Sequence, residues 1–149
     1  KKITIIISFL LLLSCGYEPI FTSSKANFSI TEIKLFGKKN IGSKIKSNLN
    51  IYLNIENKSI FYSLKINSDR KKIIIIKDAK GDPKMFDMQV SIDLTILENN
   101  KIKHEKNFKE SYVYNNSTNK FDLKRYEENI EDNLIKKIIT KITLYLHSI

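Results

Sequence analysis

Hydrophobic and polar residues alternate without a break from Phe86 to Ile96. Phe86, Met88, Val90, Ile92, Leu94 and Ile96 fall on one side, and Asp87, Gln89, Ser91, Asp93 and Thr95 on the other. Period two predicts a strand with one buried and one polar face. Upstream, Tyr62, Leu64 and Ile66 alternate with Ser63, Lys65 and Asn67. "KKIIIIK" continues that strand up to the turn signal "DAKGDPK". After the turn "ENNK", the stretch "IKHEKNFKESYVYN" returns as a partner strand, and the β-rich "FSITEIKLF", Phe28 to Phe36, predicts a further strand near the start.

The period changes in two places. Ile41, Ile45, Leu49, Tyr52 and Leu53 recur at spacings of three and four, which predicts a helix with Asn40 as its N-cap. Gly42 and several Asn lower its intrinsic propensity, so packing must hold it. Near the end, Tyr126, Ile130, Leu134, Ile138, Ile142 and Leu146 recur every four residues, widened by Ile135, Ile139 and Tyr145. This predicts a long amphipathic helix. Glu127, Glu128, Glu131 and Asp132 precede Lys136, Lys137 and Lys141, an order that suits the helix dipole, and Asp122 or Thr118 is placed to cap it. The predicted fold is therefore α+β, a two-layer sandwich of order β-α-β-β-β-α. Two helices pack on one face of a four-stranded, mainly antiparallel sheet and leave the other face polar.

The first residues follow neither period. Lys1 and Lys2 precede an apolar run, Ile3 to Leu13, broken only by Thr4 and Ser8. The run is too short to span a bilayer, which takes about 20 residues, and suits a secretory signal. It ends on Leu12-Leu13-Ser14-Cys15-Gly16, which has the form of a bacterial lipobox. The small Ser14 admits a peptidase, cleavage falls between Ser14 and Cys15, and the Cys15 sulfur takes the lipid as a thioether. Cys15 is the only cysteine of the chain, so no internal disulfide is available to it. A hydrophobic strand with a buried thiol is the plainer alternative. Gly16, where Asp favours inner-membrane retention, points to the outer membrane. The expected organisation is a lipoprotein signal over 1–14, a lipidated lead segment over 15–27 and one domain over 28–149.

Composition adds little chemistry. The 149 residues, 42% hydrophobic, are enough for one packed domain. The net charge of +10 comes from 26 Lys and Arg against 16 Asp and Glu. Nearly all of the positive charge is Lys, in a chain crowded with Ile and Asn, as AT-rich coding would produce. Much of it is thus background on a solvated surface, and the remainder fits an acidic partner: nucleic acid, anionic lipid or a negatively lined protein cavity. His104 reads as a surface strand residue and His147 as a cation at a helix end; neither has metal-ligand neighbours in sequence. Asp87 and Asp93 share a strand face roughly 20 Å apart, too far to share a proton. No phosphate loop, nucleophile elbow or metal motif occurs, and the aromatics lack the pattern of an RNA-binding sheet. The expectation is a protein that is not an enzyme, with no cofactor, no metal and no nucleic-acid partner.

"CGYEPIF", through Cys15, Gly16, Tyr17 and Pro19, resembles the opening of the LPS-assembly lipoproteins of the LptE family. "KGDPKMFDMQVSIDLTIL" is similar to that family's turn and alternating strand. "YVYNNSTNKFDLKRYEENIEDNLIKKIITKI" is similar to its last strand, loop and closing helix. The resemblance covers the mature chain, though the Lys/Asn/Ile bias erodes it residue by residue. It implies a lipoprotein on the periplasmic side of the outer membrane, tethered to the bilayer by Cys15. Such a protein plugs and supports assembly of the LptD β-barrel in lipopolysaccharide transport. It also implies lipopolysaccharide contact by basic residues at the end of the sheet where Lys77, Lys80 and Lys84 flank Gly81, with Asp78 and Asp82 partly neutralising the loop. The alternative of similar build is the auxiliary lipoprotein of an ABC-type envelope lipid-transport system.

Overall fold

The computed structural model describes residues 26–149. The signal segment, the cleavage and lipidation site at Ser14 and Cys15, and the lead segment up to residue 25 lie outside the described residues. The chain forms β1 (Phe28–Gly37), α1 (Lys39–Leu49), a 3-10 turn (Asn50–Tyr52), β2 (Ile60–Lys77), β3 (Pro83–Glu98), β4 (Lys101–Asn115) and α2 (Lys120–Ser148). This is the α+β order β-α-β-β-β-α expected from the hydrophobic periods.

The sheet order is β1-β2-β3-β4. β2, β3 and β4 form an antiparallel meander. Its second hairpin turns on Asn99 and Asn100, both at positive φ (51° and 63°), the backbone that a tight two-residue hairpin requires and that Asn tolerates. β1 is different: it pairs parallel to β2, from Phe28↔Ile60 to Gly37↔Ser68, with a bulge between Ile30 and Glu32. A parallel pair needs a crossover, and α1 supplies it. At the top of β1 the chain leaves the sheet sharply. Gly37 has φ +75°, and a Cβ there would lie 2.1 Å from the Ser68 carbonyl oxygen. That same oxygen accepts the Lys38 N–H at 2.8 Å, and the buried Ser68 hydroxyl donates to the carbonyls of Lys38 (2.9 Å) and Phe36 (3.2 Å). These bonds fix the point at which strand becomes helix.

One core lies between the layers. Ile41, Ile45 and Leu49 of α1 and Leu134, Ile135, Ile138, Ile142 and Leu146 of α2 are buried against Leu64 and Ile66 of β2 and Met88, Val90, Ile92, Leu94 and Ile96 of β3. No helix among the described residues covers the opposite sheet face. Cross-strand rows such as Lys65, Thr95 and Glu105, or Asn67, Asp93 and Asn107, stand on it, with Phe36, Phe61, Ile73 and Val113 among its exposed apolar residues.

Some local expectations are corrected. Asn40 does not cap α1; it lies inside the helix, and Lys38 holds the cap position without a side-chain bond. α1 ends at Leu49, so Tyr52 is buried from the 3-10 turn, and Leu53, an extended residue bridging Ile30, is only partly buried. Neither Asp122 nor Thr118 caps α2. Asn119 does, accepting the N–H groups of Phe121 (3.1 Å) and Asp122 (3.3 Å). Tyr126, expected on the buried face, is exposed.

Candidate functional site

The two strand-connecting segments at one end of the sheet come together. Asp78 organises the β2–β3 turn: its Oδ1 accepts the backbone N–H of both Lys80 and Asp82, each at 2.9 Å. Gly81, at φ +88°, closes the turn and donates to the Asp78 carbonyl at 3.0 Å. Asn116, at the end of β4, ties the second segment to the first. Its N–H donates to the Lys84 carbonyl at 2.8 Å, and its Nδ2 to the Pro83 carbonyl at 2.7 Å. A shallow cleft of about 550 Å³ lies between them, lined by Asp78, Asp82, Pro83, Lys84, Asn116, Ser117, Thr118 and Lys120.

The three lysines singled out in the sequence are thus divided. Lys77 is the last residue of β2 and Lys80 stands in the turn, whereas Lys84, on β3, lines the cleft. Lys120, which sequence reasoning missed, lines the same cleft. Its Nζ donates to Asn116 Oδ1 (3.3 Å) and to the Ser117 carbonyl (3.1 Å), so it is held at the rim. The signal for it was the short polar connection "NSTN", which brings the start of α2 back beside the β3 strand. The first turn of α2 adds Phe121, 74% exposed. This end therefore presents ammonium groups, a helix start and an apolar ring. Asp78, whose Oδ1 is occupied with the turn, and Asp82 line the same cleft and partly balance the ammonium groups.

Behind this end, α2 is bound to the sheet by charge. Glu127 Oε1 accepts from Lys72 Nζ (2.6 Å) and from the Tyr114 hydroxyl (2.7 Å). Burial pushes the Glu127 carboxyl up, but Lys72, Tyr114 and Arg70 outweigh it and hold the carboxyl below its usual range. Burial and the bond to Glu127 push the Tyr114 hydroxyl well up. Lys72 also stands 3.9 Å over the Phe86 ring.

The two histidines lie elsewhere. His104, in β4, is half buried edge-on to Tyr145. His147 is not the solvated cation expected at a helix end. It packs edge-on against Phe28 and Tyr52, lies 3.0 Å from the Tyr52 hydroxyl, and burial holds its pKa below the ordinary value. Asp87 and Asp93 lie apart along β3; Asp93 accepts from Asn107 at 2.7 Å. Among the described residues no three His, Cys, Asp or Glu side chains gather as a metal site would require. No helix among them is long and apolar enough to cross a membrane.

The fold and this end of it define a small two-layer α+β domain whose polar sheet face no described helix covers and whose tip carries lysines interleaved with aspartates. No protein-family model matches the chain, and no curated protein matches it in sequence. Solved structures do share the fold. Lipoprotein B from Nitrosomonas europaea superimposes with a TM-score of 0.67 at 16% identity, over 89% of this chain and 91% of that one. A minor lipoprotein from Acinetobacter baumannii gives 0.62 at 14% identity, over 80% and 91%. Rare lipoprotein B from Shewanella oneidensis gives 0.56 at 10% identity, over 77% and 95%. At these identities the shared property is the fold.

Proposed function

We propose that this chain is an outer-membrane lipoprotein of LptE type. On this reading it is anchored by an acylated Cys15, stands on the periplasmic side as a plug in an LptD-like β-barrel, and assists passage of lipopolysaccharide. It is a binding protein and not an enzyme. The observation that carries the reading is a coincidence of two independent features. The lipobox around Cys15 precedes a domain whose fold is shared, over most of both chains, with proteins described as lipoproteins. The polar sheet face supports it, because a plug must meet the water-lined interior of a barrel. The lysines of the tip support it too: Lys80, Lys84 and Lys120 are point charges suited to lipid phosphates.

The test is recovery of the mature protein from detergent-extracted outer membrane. A large barrel protein should accompany it, and mass spectrometry should find acyl chains on an N-terminal Cys15. Recovery with a permease complex instead, or an unprocessed chain still carrying Lys1, overturns the reading. Lipopolysaccharide binding by Lys80→Glu/Lys84→Glu should be weaker than wild type at low salt, with the gap closing as salt rises. Unchanged binding at low salt removes these lysines from the site.

A further inference from the structure

β2 runs to Lys77, but its neighbour β1 stops opposite Ser68. From Asp69 onward, no strand among the described residues lies on that side of β2, while β3 continues on the other. The direction of the free groups follows from the last bond made. The Ser68 carbonyl points to the β1 side, where it accepts from Lys38 N–H at 2.8 Å. Backbone groups alternate sides along a strand. Arg70, Lys72 and Ile74 therefore turn their N–H and C=O groups into the lane that β1 has vacated. The register is regular as far as Ile74, beyond which it shifts.

The side chains along this edge are unusual for one. Ile73, Ile74, Ile75 and Ile76 are 41%, 44%, 46% and 45% exposed. Exposed edges are normally protected by charges or proline. β4, the edge at the far side of the sheet, follows that rule with Lys101, Lys103, Lys106 and Lys109. The isoleucine run does not. Charge brackets the run instead. Lys71, 3.9 Å from the half-exposed Asp69, stands before it on the sheet's polar face, and Lys77, Lys80 and Lys84 follow it, interleaved with Asp78 and Asp82. The side chains of Arg70 and Lys72 are engaged with Glu131 and Glu127 of α2.

We propose that Arg70–Ile76 is a strand-addition site that takes an extended segment of a partner protein, apolar at alternate positions and acidic at its ends. The backbone groups of Arg70, Lys72 and Ile74 supply the ladder, the isoleucines the apolar contact, and Lys71 and Lys77 the attraction for acidic ends. A second copy of this chain fits worse: pairing about Lys72 sets like charges opposite one another, between bodies that each carry +10. The inference does not depend on the function proposed above, because it concerns the edge and not the tip.

The probe is a short blocked peptide of alternating Val and Thr with Glu at both ends, added to the full chain. Amide hydrogen exchange should slow at Arg70, Lys72 and Ile74. Lys71 and Ile73, whose amides already face β3, should not change. A peptide with Pro in place of its central Val should bind at least about tenfold more weakly. Ile74→Pro should have a similar effect, since it removes an outward N–H while sparing the bonds to β3. If that variant does not fold, Ile73→Lys leaves the backbone intact and should weaken binding by placing a charge beside the apolar face. The proposal is overturned by equal binding of the Pro peptide, or by no slowing at the three amides. It is also overturned if those amides are already protected in the free chain, whether by residues 1–25 or in a dimer.

Discussion

Glu131 of α2 reaches Arg70 of β2 at 2.5 Å, just past the point where β1 ends. The Glu131 side chain is 7% exposed and its other oxygen accepts from Asn40 of α1 at 3.1 Å. One carboxylate thus joins both helices to the sheet. Removing it strands a guanidinium and an amide where water reaches only in part. Because Arg70 is about half exposed, the loss falls below that of a fully buried pair. Glu131→Ala should cost about 2 kcal/mol in urea unfolding, and Glu131→Gln, which keeps an acceptor, less. An alanine variant as stable as the parent would show that the helices do not depend on this group.

Gly37→Ala should cost at least ~2 kcal/mol, because it combines positive φ with a Cβ placed on the Ser68 carbonyl. Gly81→Ala, at a similar φ but with open space around it, should cost less. Thermal melts of the two variants provide the comparison. Equal losses would mean that the clash at Gly37 relaxes without strain.

Ile138 is fully buried between α2 and the sheet. Ile138→Asp buries an unpaired charge and should cost at least ~3 kcal/mol, whereas Ile138→Val should cost about 1 kcal/mol. If the aspartate variant melts like the parent, α2 faces water there and the packing is wrong.

His147 should make stability depend on pH. Its folded pKa lies below the ordinary value of about 6.5 because burial disfavours the charged ring. Above the ordinary value the ring is neutral in both states and its packing is fully effective. As pH falls below it, the unfolded chain takes up the proton first, so stability declines until the folded pKa is passed. Replacement by Phe should flatten the change in stability between pH 8 and pH 5, whatever it does to stability at pH 8. A slope unaltered by His147→Phe would assign the dependence to other groups, Glu127 among them at lower pH.

The alternating strand β3 was plain in the sequence because each of its faces meets one environment. The connection at Gly37 and the parallel pairing of β1 were not, since the same alternation serves a parallel or an antiparallel neighbour. Tyr126 shows a limit of another kind. A strict four-residue spacing advances about 40° past a full turn at each step, so three steps back from Ile138 move about 120° around the helix. Leu123, Ile130 and Glu131 take the buried stripe there, and Tyr126 comes out. Asn119 was one of several polar residues between β4 and α2 able to cap, and only the backbone selects among them. At the tip, the turn carrying Lys80 was legible from Gly81 and Pro83. Lys120 joins it through a contact between two loops, which no local pattern records.

The parallel β1 also sets an order of assembly. β2, β3 and β4 join through short turns, so their pairings close small loops and form readily. Phe28 must instead find Ile60 across the whole of α1, on a strand that is itself incomplete without β3. Among the described strands, the first in chain order is therefore the last to dock. Until it does, the Tyr62–Ile66 stretch of β2 is as bare along its edge as the isoleucine run beyond it, and the folding chain has its widest sticky margin during that interval.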